Sequence, residues 1–234
     1  MAGYSNQKVF ILYEDEHLLV VKKPFGMESQ RGKSFAMDQE SLLRGYLSSK
    51  TKTDNPYLAV VHRLDRPVAG VMVYAKTKKA AADLSAQLQT ENFSKKYEAV
   101  VSGIVPACEG RLEDYLTADK RTGTTSVSSK ADPLAKKAVL TWKEIAREEV
   151  KSGEILLPYA SNPSPEGGWH FLSIVLETGR HHQIRAQLSH AGMPIAADVR
   201  YGGAKVHGPR GAIALCAAQL SFRHPITGKY LTFS

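Results

Sequence analysis

The chain has 234 residues, 43% of them hydrophobic, enough for one large domain or two intimately joined halves with a real core. Its 31 Lys and Arg outnumber 23 Asp and Glu, and the formal charge of +8 favours a polyanionic partner such as nucleic acid, although a merely soluble basic protein has the same balance. Cys108 and Cys216 form no Cys-x-x-Cys pair and residues 9–12 are too short an apolar run for a signal-peptide core or a membrane span, so disulfide scaffold, zinc knuckle and membrane anchor are not indicated and a reducing cytoplasm fits best.

Residues 9–22 predict two short strands around the acidic turn Glu14-Asp15-Glu16, ended by Lys23-Pro24-Phe25-Gly26. Residues 26–39 read as a polar loop, and 41–49 as a short helix with Ser41 as its N-cap. The Val-rich runs 58–62 and 71–76 predict buried strands joined by a turn over 63–70. Residues 77–89 predict a helix capped by Thr77, with Ala80, Leu84 and Leu88 on one stripe, and 95–102 a strand. Residues 114–135, rich in Thr, Ser, Lys and Gly, predict a mobile, exposed segment whose Lys120, Arg121 and Lys130 suit either RNA contact or a plain solvated loop.

Residues 138–145 and 171–177 predict strands, with the Pro- and Gly-rich stretch 158–168 as a surface connection between them. A helix over 181–191 is closed by Gly192 and turns Ile184, Leu188 and Ala191 inward; 212–222 and 230–233 are the last strands. No solenoid repeat and no internal boundary stands out. Strands outnumber helices and short turns join many of them, which gives an α+β class with a mixed, largely antiparallel sheet, and a single domain over 1–234.

Two clusters can carry chemistry. His62-Arg63-Leu64-Asp65-Arg66-Pro67 puts one carboxylate between two guanidinium groups at a strand-to-turn junction. Nearby positive charge keeps such a carboxylate ionised, which suits a nucleophile or an electrostatic partner; a structural Arg–Asp pair bracing the turn fits the same window. Thr178-Gly179-Arg180-His181-His182-Gln183-Ile184-Arg185 opens a helix with cationic and hydrogen-bonding side chains beside free backbone N–H groups, an anion-receptive arrangement that is otherwise surface decoration. Tyr97, in Lys95-Lys96-Tyr97, is either a core tyrosine or an aromatic platform for an unstacked base. No His-Glu-x-x-His or Cys-containing spacing accompanies the histidines, Gly228-Lys229 lacks the earlier glycine of a phosphate loop, and no Gly-x-Ser-x-Gly elbow is present.

In this order the segments resemble the RluA-type family of RNA pseudouridine synthases, from about Leu18 to the C-terminus. Lys22-Lys23-Pro24-Phe25-Gly26 is similar to the first motif and His62-Arg63-Leu64-Asp65-Arg66 to the catalytic motif. Lys96-Tyr97 with Val100-Val101-Ser102-Gly103 is similar to the tyrosine segment, and residues 178–185 to the third motif. Gly192-Met193-Pro194-Ile195, Asp198 with Tyr201-Gly202, and His224-Pro225-Ile226-Thr227-Gly228 match as well.

The resemblance implies a pseudouridine synthase fold with flanking helices and a central basic cleft, a monomer, and a cofactor-free, metal-free isomerisation of a uridine in structured ribosomal or transfer RNA. Asp65 is then the essential carboxylate, Tyr97 packs on the uracil, Arg185 pairs with Asp65 and Ile184 lines the base pocket. Arg63 helps fill the space left by the flipped base, and Arg66, Arg180, His182 and Gln183 join the substrate-binding set. The catalytic motifs begin so early that no separate small N-terminal RNA-binding domain is expected. A catalytically weak RNA-binding or RNA-folding factor on the same domain is the alternative, and a nucleoside hydrolase a third reading. Three positions depart from the family: Val68-Ala69 where Thr-Ser is common, Gln187 for a frequent His, and Ala197 for a frequent Gly before Asp198.

Overall fold

Residues 71–75 of the valine-rich run 71–76 fall in a strand buried along its whole length, whereas the run 58–62, expected to be a second buried strand, gives only the two half-buried strand residues Ala59–Val60. In the computed structural model, which describes residues 9–32, 37–163 and 165–234, the chain divides into two compact units, Met1–Phe93 with Leu220–Ser234, and Ser94–Gln219.

In the first unit β1 (Phe10–Glu14) and β2 (Leu18–Lys23) pair antiparallel across the acidic turn. The Asp15 carboxylate holds that turn: it accepts from the His17 and Leu18 N–H groups, from the Tyr13 hydroxyl and from His224, each at 2.7 Å. Burial opposes its ionisation, but those hydrogen bonds outweigh burial and lower its pKa to about 2. β2 pairs along its length with β4 (Ala69–Ala75), every residue of which is buried, and β3 (Ala59–Val60) adds to β4. Strands covered on both faces read as continuous apolar runs, which is why this pair is plain in the sequence. The last residues of β10 (Leu215–Arg223) pair with β11 (Tyr230–Phe233).

Helix α2 (Lys78–Gln87) starts at Thr77, whose hydroxyl accepts from the Ala80 N–H at 3.2 Å, and sets Ala80 and Leu84 into a core with Val20, Val73, Phe93 and Phe222. Burial of a leucine such as Leu84 contributes roughly 2 kcal/mol. Helix α1 (Gln39–Thr51) starts two residues before the expected cap, because Asp38 takes that role: its carboxylate accepts from the Ser41 N–H at 2.9 Å and from the Ser41 hydroxyl at 2.7 Å. A carboxylate satisfies the same orphan donor as a hydroxyl and adds a favourable charge at the positive end of the helix dipole.

The second unit is a ladder in the order β5 (Phe93–Val101), β9 (His170–Leu176), β8 (Lys136–Ile145), β6 (Glu109–Asp119), β7 (Thr124–Ser128). Every strand pairing described within either unit is antiparallel, and among the described residues four α-helices accompany the strands, an α+β arrangement as expected. The stretch 114–135, expected to be mobile and exposed, is instead largely the β6–β7 hairpin. Asp119 closes it by accepting from the Arg121 N–H and the Thr122 hydroxyl, and Gly123 (φ +65°) ends the turn. Alternation of buried Thr125 with more exposed neighbours accounts for the miss, since a strand with one polar face has loop-like composition. The expected connection over 158–168 begins within helix α3 (Gly153–Ala160), which contains Pro158 and is anchored by fully buried Leu156 and Tyr159. Helix α4 (Gln183–His190) is shorter than the expected 181–191, with His182 as its N-cap residue. Among the described residues no helix is long and apolar enough to cross a membrane.

Candidate active site

In the first unit Asp65 begins a tight reversal in which the Val68 N–H donates to the Asp65 carbonyl at 3.0 Å. The turn is fixed from three directions. Ser29, 4% exposed, donates its hydroxyl to the Leu64 carbonyl at 2.8 Å and accepts from the Leu64 N–H at 3.0 Å. Gly26 donates its N–H to the Arg66 carbonyl at 2.8 Å, and Arg66 Nε donates back to the Gly26 carbonyl at 3.0 Å. Gly26 has φ +78°, which its lack of a Cβ permits. Lys23, 1% exposed, donates to the carbonyls of Pro24 at 2.9 Å and Met27 at 2.7 Å, with Arg66 more distant at 3.5 Å. The segment Lys23-Pro24-Phe25-Gly26 is therefore the mount of the Asp65 turn. Leu64 and Val68 are buried on either side while Asp65 stays partly exposed and Arg63 and Arg66 exposed. Val68 and Ala69, where hydroxyl residues are common in the family, are 2% and 4% exposed, so here apolar packing, backbone bonds and Ser29 hold the turn.

In the second unit the residues before α4 form a stitched loop. The Thr178 hydroxyl accepts from the Val139 N–H at 2.9 Å and donates to Gln183 Oε1 at 2.8 Å. That oxygen also accepts from the Arg180 N–H at 2.9 Å, while Gln183 Nε2 donates to the Val139 carbonyl at 3.0 Å. Gln183 thus spends its amide on the loop itself. Arg180 is exposed, with Nε on the Lys137 carbonyl at 2.9 Å. His182 has the left-handed φ +50° and stacks on His181 at 3.8 Å between ring centres. The Tyr201 hydroxyl accepts from the Thr125 N–H at 2.8 Å, so its proton is directed to His182 Nδ1, also at 2.8 Å. Burial, with the positive charges of Arg185, His181 and Arg200 behind it, lowers the His182 pKa to about 3 and keeps the ring neutral, as an acceptor at Nδ1 must be.

Arg185 and Ile184 are 5% exposed on α4, and Tyr97 is 7% exposed on β5. Arg185 donates through Nε to one oxygen of Asp198 at 2.7 Å and through Nη2 to the other at 2.8 Å, and its guanidinium lies 4.7 Å over the Tyr201 ring. Asp198 is 1% exposed. A forked pair of this kind fixes the plane of the guanidinium as well as its position. Ala197, just before it, has φ +64°, which explains why glycine is frequent there in the family. A side chain in that region costs about 1–2 kcal/mol, partly offset by the greater chain entropy glycine loses on folding, so Ala197→Gly is expected to raise stability by about 0.5–1 kcal/mol, read as a higher urea midpoint at unchanged slope. A lower midpoint would contradict this account.

Of the residues singled out in the sequence, Arg63, Asp65 and Arg66 lie together on the turn of the first unit, and Tyr97, Arg180, His182, Gln183, Ile184 and Arg185 belong to the second. Sequence reasoning assigned no role to Ser29, Asp198 or Tyr201, although the spacing Asp198-x-x-Tyr201-Gly202 was visible. Among the described residues no group of three or more His, Cys, Asp or Glu side chains could hold a metal ion.

The model of the RNA pseudouridylate synthase family matches residues 17–190. The tRNA pseudouridine synthase C of Yersinia pestis is 30% identical over 230 residues, covering 96% of this chain and 84% of that protein. Its namesake from Pectobacterium carotovorum subsp. carotovorum is 29% identical over 228 residues, 95% of this chain and 57% of that one. The ribosomal large subunit pseudouridine synthase D of Vibrio cholerae is 31% identical over 240 residues, 95% and 65%. The chain therefore spans between 57% and 84% of the length of these three relatives. Among solved structures, human RNA pseudouridylate synthase domain containing 1 shares the fold at a TM-score of 0.70 and 19% identity, over 100% of this chain and 85% of that one. The family match runs from the residue before β2 to the end of α4 and so takes in the Asp65 turn, Tyr97 and the Arg185 helix together; the chain belongs to the RNA pseudouridylate synthase family, of RluA type.

Proposed function

We propose that this chain isomerises a specific uridine of ribosomal or transfer RNA to pseudouridine, without a cofactor, and that Asp65 is its essential carboxylate. The observation that supports this best is the mounting of the Asp65 turn: Ser29, Gly26 and Lys23 hold its backbone from three directions while Asp65 itself stays partly exposed. Catalysis by a positioned group requires a rigid mount of this kind.

In the reaction the bond from ribose C1′ to uracil N1 breaks, the base turns, C5 bonds to C1′, the C5 proton leaves and N1 gains one, so the product is an isomer. A uracil within a helix hides its glycosidic bond. The enzyme extrudes the nucleotide at a cost of a few kcal/mol, which contacts from basic side chains to phosphates offset. Tyr97 packs on the uracil and assists removal of the C5 proton, Ile184 lines the base pocket, and Arg185 is the cation that balances the reacting carboxylate. Arg63 fills the space the base vacates, and Arg66, Arg180 and His182 contact the RNA. Gln183 contributes through the loop it shapes. The protein works as a monomer in the cytoplasm, residues 1–234 acting as one catalytic domain.

The test is a pseudouridine map of total RNA from a strain lacking this chain, before and after its return on a plasmid. One or a few sites are expected to vanish and come back. An unchanged map would remove the reading in favour of an RNA-folding factor, and free uracil released from RNA by the purified protein would point to a hydrolase.

A further inference from the structure

Of the four buried or half-buried lysines among the described residues, Lys23 has carbonyl oxygens and Lys76 has Glu14 at 2.8 Å. Lys95, like its neighbour Lys96, shows no such partner. It is half-buried near the start of β5, and among the described residues no carboxylate or carbonyl lies within hydrogen-bond or ion-pair distance of its ammonium. Burial alone draws its pKa below the ordinary lysine value. A desolvated ammonium without an acceptor costs free energy that an external anion recovers.

Its surroundings define the anion. A Cβ added to Gly179 would come within 3.1 Å of the Lys95 ammonium, so the head of the lysine rests against the turn of Thr178, Gly179 and Arg180 in space that the missing side chain keeps open. Arg180, the next residue, is exposed and pinned through Nε, and adds a second positive charge to the same turn. The Thr178 hydroxyl is already committed to Gln183, and Glu177 to Arg111. Along β5, Lys95 and Tyr97 are two residues apart, on one face of the strand and roughly 6.6 Å from each other along the chain. That is about the reach between a base and a backbone phosphate beside it.

We propose that Lys95 binds a phosphodiester of the RNA backbone, adjoining the nucleotide whose base lies on Tyr97, in the space kept open by Gly179. The assignment rests on the proposed action on RNA, which supplies phosphate as the anion. It adds a subsite: β5 holds base and backbone of the substrate from one strand face, and the Gly179 turn closes over the phosphate.

The experiment is fluorescence anisotropy with labelled unfractionated tRNA, titrated from about 50 to about 200 mM KCl. Lys95→Met, which keeps the apolar stem, is expected to weaken binding roughly 3- to 10-fold at the lower salt and to reduce the slope of log affinity against log salt by about 0.7–0.9, the signature of one lost phosphate contact. Lys95→Arg is expected to restore the slope. Gly179→Ala, whose new methyl displaces only the end of a flexible side chain, is expected to weaken binding in the same way with its melting temperature unchanged. Unaltered affinity and slope in Lys95→Met would overturn the proposal, as would weaker binding at an unchanged slope, which marks a structural role. Its fate is separate from that of the enzymatic reading. A protein that makes no pseudouridine yet loses slope in Lys95→Met keeps the phosphate contact, and an active enzyme with an unchanged Lys95→Met slope loses it.

Discussion

Asp65→Asn is expected to abolish pseudouridine formation while RNA affinity changes by no more than a few-fold. The side chain keeps its shape and loses only its charge and one of the two oxygens of the carboxylate proposed to act in the reaction. The bonds that hold the turn pass through backbone atoms and through Ser29 and Lys23: Val68 N–H to the main-chain carbonyl of residue 65, Ser29 to Leu64, Gly26 to Arg66. The substitution leaves that frame in place, so lost activity cannot be charged to a collapsed loop. Binding is expected to persist because phosphate contacts dominate affinity for RNA. Removal of a nucleophile commonly lowers turnover by on the order of 10⁴-fold or more, beyond the range of a tritium-release assay on RNA labelled at uridine C5. Asp65→Ala, which cannot revert by deamidation, is the control. Equal tritium release from wild type and both variants would end the case for Asp65, whereas loss of both release and binding would mean that the carboxylate shapes the RNA surface.

How much of this was legible in the sequence depended on whether the decisive contacts were local. β2 and β4 stood out because strands covered on both faces carry uninterrupted apolar residues, and α2 because Thr77, Ala80 and Leu84 place cap and stripe within eight positions. The β6–β7 hairpin reads as a loose segment because Thr and Ser are frequent in it and its pairing is a main-chain property that composition does not register. α3 was hidden by Pro158, since the burial of Leu156 and Tyr159 that sustains it is tertiary. The site divides likewise. Asp65 and Arg185 drew attention through the charged residues beside them, but the sequence window around Asp65 admitted a mere turn-bracing pair. What sharpens that reading is the distant mount, Ser29 being 35 residues from Leu64 and Lys23 43 from Arg66. The first motif and the catalytic motif prove to be two parts of one support. The departures at Val68 and Ala69 weaken it little, because they add buried apolar surface where hydroxyls would need partners.

Asp198→Ala is expected to be the most destabilising single change in the second unit, at about 3–5 kcal/mol. Asp198 is 1% exposed and gives one oxygen to Arg185 Nε and the other to Nη2; truncation removes these two acceptors from a guanidinium that is itself 5% exposed. It also frees the plane of that group over Tyr201, whose hydroxyl ties Thr125 to His182, so the damage is expected to spread to the α4 entry. Arg185→Met should cost less in stability, since Met fills much of the same volume and leaves no buried positive charge, yet it should be at least as harmful to turnover. The double variant Asp198→Leu with Arg185→Met is expected to recover most of the lost stability and none of the activity, because a buried ion pair is often replaceable by apolar packing as far as folding is concerned. Urea unfolding of the four proteins beside tritium release separates the two quantities. If the double variant remained as unstable as Asp198→Ala, the pair would be a packing keystone; if it regained turnover, the guanidinium would have no part in the reaction. Recovery of folding without recovery of chemistry is the outcome that identifies Arg185 as a charge retained for the substrate, with Asp198 as the residue that aims it.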